Sequence, residues 1–285
     1  MLDKYYLKEK NQFRNKRDKD NYNKTLASMM RKILERLVKG EISTEEAEKL
    51  LKLSAIEKVS NMAKVDIGRE FRKGIPEIIL ASGKEPKDVV KIAQHIIKKR
   101  GRVIISRADD KCIKAIKKMV KPDIDLFINK RSGMIVIKRK DFKLEKTGGK
   151  IGIITAGTAD ISIAEEAKIV AEEMGCDVFT AYDVGIAGIH RLFRPLKKML
   201  KEGVDAIIVV AGMEGALPAL VAGLVDVPVI GVPASLSFGF GEKGISALMA
   251  MLQACPLGLS VVNIDNGVAA GAFASLIARR VASKS

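Results

Sequence analysis

The segment QACPLGLSVVNIDNG, Gln253 to Gly267, sets a cysteine between an apolar helical run and an apolar strand. Such a thiol is either a small core filler or a nucleophile. A second candidate is Glu214, in AGMEGALP, just past a buried-strand pattern and beside a helix start. Its carboxylate either stabilises the amino end of that helix or has a functional role beyond solvation. Asp160, in TAGTAD, has two roles open to it: capping the next helix, or ordering its loop around a ribose or carboxylate. Gly157, Thr158 and Ala159 beside it offer backbone N–H groups to a phosphate.

Other polar groups recur at equivalent places. YDVGIAGIHR brings Asp183, Gly185, His190 and Arg191, of which the last two suit a phosphate or other substrate contact. Gly212, Met213 and Gly215 surround Glu214, and Ser235 lies in GVPASLSFGFG. Asn263, Asp265 and Asn266 of NIDNG suit ribose hydroxyls or the fixing of a loop, and if buried they must be hydrogen-bonded.

The elements that must carry these residues are legible from residue 150 onward. KIGIIT, DVFTAY, DAIIVV, VPVIGV and LSVVNI read as continuous apolar strands. Helical stretches separate them, over about 161–174, 188–201, 217–224, 245–254 and 269–281. This alternation predicts an α/β fold, a doubly wound αβα sandwich with a parallel sheet covered on both faces. Ligands of such folds bind outside the carboxyl ends of the strands. The loops named above then converge on one edge, where Gly157, Gly212 and Gly215 are expected to admit a ligand close to the backbone beyond any need of packing. GFGEKG, Gly239 to Gly244, matches a dinucleotide fingerprint literally, but PASLSF separates it from the strand and it comes late in the domain. It reads better as a glycine loop closing over substrate.

The front half differs. Asn21 to Val38 and Ser43 to Leu51 read as helices, as do Pro86 to Lys99 and Asp109 to Met119. VIIS, IDLFI and MIVIK are short strands, so residues 21–148 form a smaller basic α+β domain, preceded by a basic arm over 1–20 and followed by the α/β domain over 149–285. The net charge of +16 lies wholly in residues 1–150, while residues 151–285 are slightly acidic. No aromatic-interleaved basic stripe accompanies this charge, so it attracts an anionic small molecule or is simply solvated, and nucleic acid is not the expected partner. MLDKYYLKEK lacks an apolar signal region and no long apolar run is free of charge, so neither export nor a membrane partner is expected and the cytoplasm is the default. Three separated cysteines suit a reducing compartment; Cys112 and Cys176 read as structural. His95 and His190, the two histidines, do not supply a cysteine–histidine zinc site.

TAGTADISIAEEA, YDVGIAGIHRLF, VVAGMEGALPALVAGLV and SVVNIDNGVAAGA together closely resemble the LarB family of nickel-pincer nucleotide cofactor biosynthesis, whose second domain is similar to aminoimidazole ribonucleotide carboxylase. The resemblance covers residues 150–282 and extends more loosely to Lys64–Ile79 and the KPDIDL region. It implies carboxylation of nicotinic acid adenine dinucleotide at C5 of its pyridinium ring by CO2 or bicarbonate, with hydrolysis of the phosphoanhydride. The implied products are pyridinium-3,5-biscarboxylic acid mononucleotide and AMP. A Mg2+ cofactor and a homo-oligomer, such as an octamer, are implied too. Cys255 matches the family nucleophile, and Glu214 the residue that holds Mg2+ or activates water. The carboxyl end of a helix does not favour a thiolate, so an activating cation is expected from Lys243, Arg191 or the substrate ring. Two departures stand out: the glycine loop differs from the usual glycine–tyrosine pattern, and Ile67–Gly68 replace a histidine, leaving Arg69 and Arg72 to meet an anion. The alternatives are a purine-pathway aminoimidazole ribonucleotide carboxylase or mutase, and a nucleic-acid-binding protein using the basic half.

Overall fold

The computed structural model describes residues 21–53, 56–59, 63–66 and 69–283. The expected basic arm, Ile67–Gly68 and the side chain of Arg72 lie outside what is described. Two compact units are present, one reaching Arg69 and the other Glu70–Ser285. The composition boundary near Gly148–Gly149 therefore falls inside the second unit.

The first unit holds helices α1 (Asn21–Val38) and α2 (Thr44–Leu53) and an antiparallel pair, β1 (Ile56–Val59) with β2 (Ala63–Asp66). Ile33, Ile42 and Ala47 form its small core, with Leu37, Leu50 and Leu51 against them. Ser43 accepts the backbone N–H of Glu46 at 3.1 Å, satisfying a donor at the start of α2 that the helix itself cannot pair.

A short helix, α3 (Arg69–Lys73), leads into a mixed sheet. β3 (Ile78–Leu80) runs parallel to β4 (Arg102–Ser106), with α4 (Pro86–Arg100) between them. α5 (Asp110–Met119) follows, then the antiparallel strands β5 (Ile124–Asn129) and β6 (Met134–Arg139), giving the order β3-β4-β6-β5. Proline in the first turn of α4 and Gly101 at φ 75° after it delimit that helix as its sequence requires. Asp109 caps α5 by accepting the N–H of Cys112 at 2.7 Å.

The parallel sheet begins at β7 (Lys150–Thr155). α6 (Ile161–Glu173), β8 (Asp177–Ala181), α7 (His190–Lys201), β9 (Ala206–Ala211), α8 (Ala216–Ala222), β10 (Val229–Pro233), α9 (Ile245–Leu252), β11 (Leu259–Val261) and α10 (Gly267–Ala282) complete it. All pairings are parallel, in the order β11-β10-β9-β7-β8. The expected sandwich is present: Leu192, Leu196, Leu217, Val221 and Met251 cover one face, and the alanines of α6 and α10 the other. Gly267 and Gly271 have no space for a side chain, because a Cβ on either would collide with the carbonyls of Ile163 and Ala167. That closeness lets α6 and α10 lie flat together as one layer.

The mixed sheet packs on the outer side of this layer. Ile104, Met134 and Val136 meet Ile169, Val170 and Met174 of α6 and Ala272 of α10. Buried Arg102 fastens the contact by pairing with Glu173 and Glu70, and Lys138 reaches Glu173 at 2.6 Å. Paired in this way, the buried charges avoid the several kcal/mol that an isolated one costs. Among the described residues, no helix is long and apolar enough to cross a membrane.

Candidate functional site at the sheet edges

Chain direction around β7 creates the crevice. β8 follows β7 on one side and β9 takes the other, so the loops after β7 and β9 diverge at a switch point, the favoured ligand position of an open parallel sheet. The first of these loops carries Gly157 to Asp160. Asp160 is buried, and its Oδ2 accepts the Gly157 N–H at 2.8 Å; it makes no capping bond to α6. The side chain thus holds its own loop instead of capping α6. Burial raises the Asp160 carboxyl above its usual range, the Gly157 N–H opposing and Asp265 adding to the effect. Thr158 and Ala159 are exposed beside it.

The loop after β9 holds Met213 at φ 52°, exposed Glu214, and Gly215 at φ 68° ahead of α8. Its carbonyl at Met213 accepts the Ser246 hydroxyl at 2.7 Å. The two loops adjoin: a Cβ on Gly212 would stand 3.6 Å from Asp160 Oδ1. Across β10 and β11, Asp265 Oδ1 accepts the Ser235 N–H at 2.8 Å. Asn266 caps α10 through the N–H of Ala269 at 3.0 Å, and Asn263 accepts the next residue's N–H at 2.9 Å. Beyond β8, Asp183 accepts from Arg191 Nη1 at 2.8 Å, so Arg191 fixes that loop; His190 is exposed at the start of α7, and Gly185 is buried.

Among the described residues, the non-glycine positions with positive φ are Arg107, Asp183, Met213, Lys243 and Asp265. All but Lys243 lie within a few residues past the carboxyl end of a strand, which concentrates backbone strain there, as functional loops commonly do. The glycines behave differently from expectation. Gly215 is needed for packing, since a Cβ would come within 2.7 Å of the Ala247 backbone, and Gly185 likewise meets the Ala156 carbonyl at 2.6 Å. Gly212 is crowded by the Leu236 carbonyl at 3.0 Å, whereas Gly157 meets nothing closer than 3.7 Å. Of these four, Gly157 is the one that leaves open space its fold neighbours do not claim. GFGEKG forms a 3-10 segment ahead of α9, not the strand-to-helix turn of a dinucleotide fingerprint.

Cys255 stands elsewhere. It is exposed in the connection between α9 and β11; Val229 N–H bonds Gly258 O at 3.0 Å, and a Cβ on Gly223 would lie 4.0 Å from Pro256. These contacts fix it at the amino edge of the sheet. β10 alone, five residues at about 3.3 Å each, sets roughly 16 Å between the edges. Within one chain, the thiol is therefore not brought together with Glu214 and Asp160. Lys243 precedes α9 and Arg191 is bound to Asp183, so neither expected activating cation adjoins the thiol of its own chain. Cys112 and Cys176 are buried, and burial pushes both thiols up, as structural cysteines require.

Sequence reading missed a group contributed by the mixed sheet. Arg107, just past β4, donates through Nη2 to the Asp265 carbonyl at 2.5 Å, and its Nε lies 3.6 Å from Glu166 Oε1. Arg131, between β5 and β6, donates to the Thr158 carbonyl at 2.5 Å. Position past the carboxyl end of a strand was a usable signal for Arg107. Buried Glu166 keeps Oε2 without a hydrogen-bond partner, and burial raises its carboxyl to about 7, with Arg107 pulling the other way and Asp265 adding to the rise. Folding thus favours the protonated form: the contribution is full below the ordinary 4.5 and is lost as pH rises through about 7. Glu166→Gln removes this titration. Its unfolding free energy, measured by urea titration, should gain on the parent's by on the order of 2–3 kcal/mol between pH 5 and 8. Parallel pH curves for the two proteins would contradict the buried-carboxyl reading.

Comparison with known proteins now identifies the parts. Residues 150–284 match the AIR carboxylase family, and residues 56–139 match the LarB/PurE-like N-terminal domain. The chain belongs to the LarB type. An uncharacterized protein of Methanocaldococcus jannaschii is 47% identical over 252 residues, covering 88% of this chain and 97% of its own length. Part of the chain is also similar to curated mutases. The N5-carboxyaminoimidazole ribonucleotide mutase of Thermotoga maritima is 31% identical over 45% of this chain and 74% of its own length. That of Pyrococcus horikoshii is 33% identical over 41% and 64% respectively. These likenesses support an enzyme of the carboxylase and mutase class, with the LarB-type front domain added.

Proposed function

We propose that this protein carboxylates C5 of the pyridinium ring of nicotinic acid adenine dinucleotide and hydrolyses its phosphoanhydride. The products are pyridinium-3,5-biscarboxylic acid mononucleotide and AMP. The observation that carries the reading is the exposure of Cys255 while Cys112 and Cys176 are buried. A cationic pyridinium carbon does not attack CO2. Addition of the Cys255 thiolate to C4 places the electron pair in a dihydropyridine, and C5 becomes an enamine carbon. C5 then bonds to CO2. Loss of the C5 proton and departure of the thiolate restore the aromatic ring, so the sulfur is regenerated. Water meanwhile cleaves the phosphoanhydride, with Glu214 positioned at the switch point to orient it and Asp160 ordering the loop beside it.

Opposite sheet edges hold the thiol and the acids, so the reaction needs two copies: Cys255 of one serves the crevice of another. Surface chemistry supports a homo-oligomer. Ile245, Met249 and Leu252 form an exposed apolar stripe along α9, and Leu257, 92% exposed, continues it past Cys255. Burying such side chains against a second copy is worth about 25 cal/mol per Å2.

Mg2+ suits the donors available. It takes one or two carboxylates and completes its shell with substrate phosphates and water, and exposed Glu214 supplies a carboxylate beside the loop of Asp160. Bound there, it would neutralise phosphate charge; Glu214 would hold it while Asp160 keeps the loop in place.

Incubation with nicotinic acid adenine dinucleotide, 13C-bicarbonate and Mg2+ should yield AMP and a mononucleotide bearing one labelled carboxylate. Folded protein producing neither refutes this substrate. Turnover of an aminoimidazole ribonucleotide under the same conditions would favour the purine reading.

A further inference from the structure

The turns that carry Arg107 and Arg131 form one platform. Ala108 N–H bonds the Gly133 carbonyl at 2.9 Å, and Gly133, at φ 67°, is required because a Cβ would stand 3.0 Å from the Ala108 oxygen. From this platform one guanidinium is anchored on the loop after β7 and the other on the loop after β11. The two anchors bracket Asp160 and Asp265. A guanidinium has five N–H donors, and these contacts use only part of each set. Both side chains remain exposed at the crevice rim.

We infer that Arg107 and Arg131 form an anion subsite for the phosphoanhydride of the dinucleotide, an inference that rests on the substrate reading above. Planar forked donors suit phosphate oxygens better than a point charge does. A pyrophosphate matches two such forks on separate anchors better than one carboxylate does. Domain arrangement agrees. The AIR carboxylase likeness starts at residue 150, so both arginines belong to the added front domain matched over 56–139. The mutases named for a ribonucleotide carry the second domain's likeness; a dinucleotide brings a second phosphate, and the front domain supplies the further positive charge. This also gives the basic excess of the front half a use beyond solvation.

Titration calorimetry of the full chain with inorganic pyrophosphate tests it. Arg107→Gln and Arg131→Gln should each weaken binding about tenfold, the double variant should show no saturable binding, and Arg131→Lys should fall between parent and Arg131→Gln. Equal affinity of parent and double variant overturns the subsite, as does absence of saturable binding to the parent. Arg131→Gln decides the matter alone if loss of Arg107 unfolds the protein through Glu166. Arginine-dependent pyrophosphate binding without dinucleotide turnover keeps the subsite and removes the substrate reading. Dinucleotide turnover with an unchanged KM in the double variant removes the subsite alone.

Discussion

Cys255→Ser protein is expected to form no 13C-labelled ring carboxylate, with a loss of about a thousandfold or more, roughly 4 kcal/mol of barrier. The cause is chemical: a serine hydroxyl is too little ionised to add to the ring, and an alkoxide leaves poorly where a thiolate leaves well. Stability provides the control. The thiol is exposed in a connection between α9 and β11, so its exchange should alter unfolding by no more than about 0.5 kcal/mol. Full carboxylase activity in the folded serine variant would remove covalent capture and leave Cys255 a surface residue.

A larger recovery is expected from mixing two dead proteins. Cys255→Ser retains the crevice with Glu214, and Glu214→Gln retains the thiol. If the reacting pair spans two copies, a co-expressed mixture contains intact pairs in about a quarter of its sites by random assortment in a symmetric assembly. Activity near a quarter of the parent's should return from components that are each nearly inactive. No recovery in a mixture shown to contain both chains in one assembly would mean that the two residues act within one chain. That outcome is hard to reconcile with a thiol at the amino edge of the sheet and the carboxylate past β9. The exposed stripe of Ile245, Met249 and Leu252 predicts that a charged residue at Met249 disperses the assembly and removes activity together with it.

How far these features could be read from sequence depends on their range. The second domain was legible because each strand is a continuous apolar run and each intervening helix has a clear length; the observed elements follow those patterns within a few residues. β3 was missed because three residues, Ile78 to Leu80, give too short a run to distinguish from a turn. Asp160, Glu214 and Asp265 were found by the rule that strand ends bear ligands, and they do share the carboxyl edge. Cys255 was singled out instead by its likeness to the family nucleophile, from a place between a helical run and the strand that leads to NIDNG. Yet a segment entering a parallel strand lies at the opposite edge from one leaving it, so β11 itself separates Cys255 from Asp265. Arg107 offered one signal, its place just past β4, and Arg131 none, but the use of both lay out of sight for another reason. Their role depends on how the mixed sheet seats on α6 and α10, through Ile104, Met134 and Val136, and no local pattern encodes that docking. Gly215 was read as open to a ligand when the backbone of α9 occupies that space, again a contact between distant segments.

The most direct measurement is a crystal of the assembled protein soaked briefly with nicotinic acid adenine dinucleotide in the absence of bicarbonate. Expected is unbroken electron density from Cys255 Sγ of one copy to the pyridine ring of a dinucleotide whose phosphates lie among the loops after β7, β9 and β11 of another. A ring bound at those loops with every Cys255 sulfur beyond bonding reach, in all copies, would contradict covalent capture.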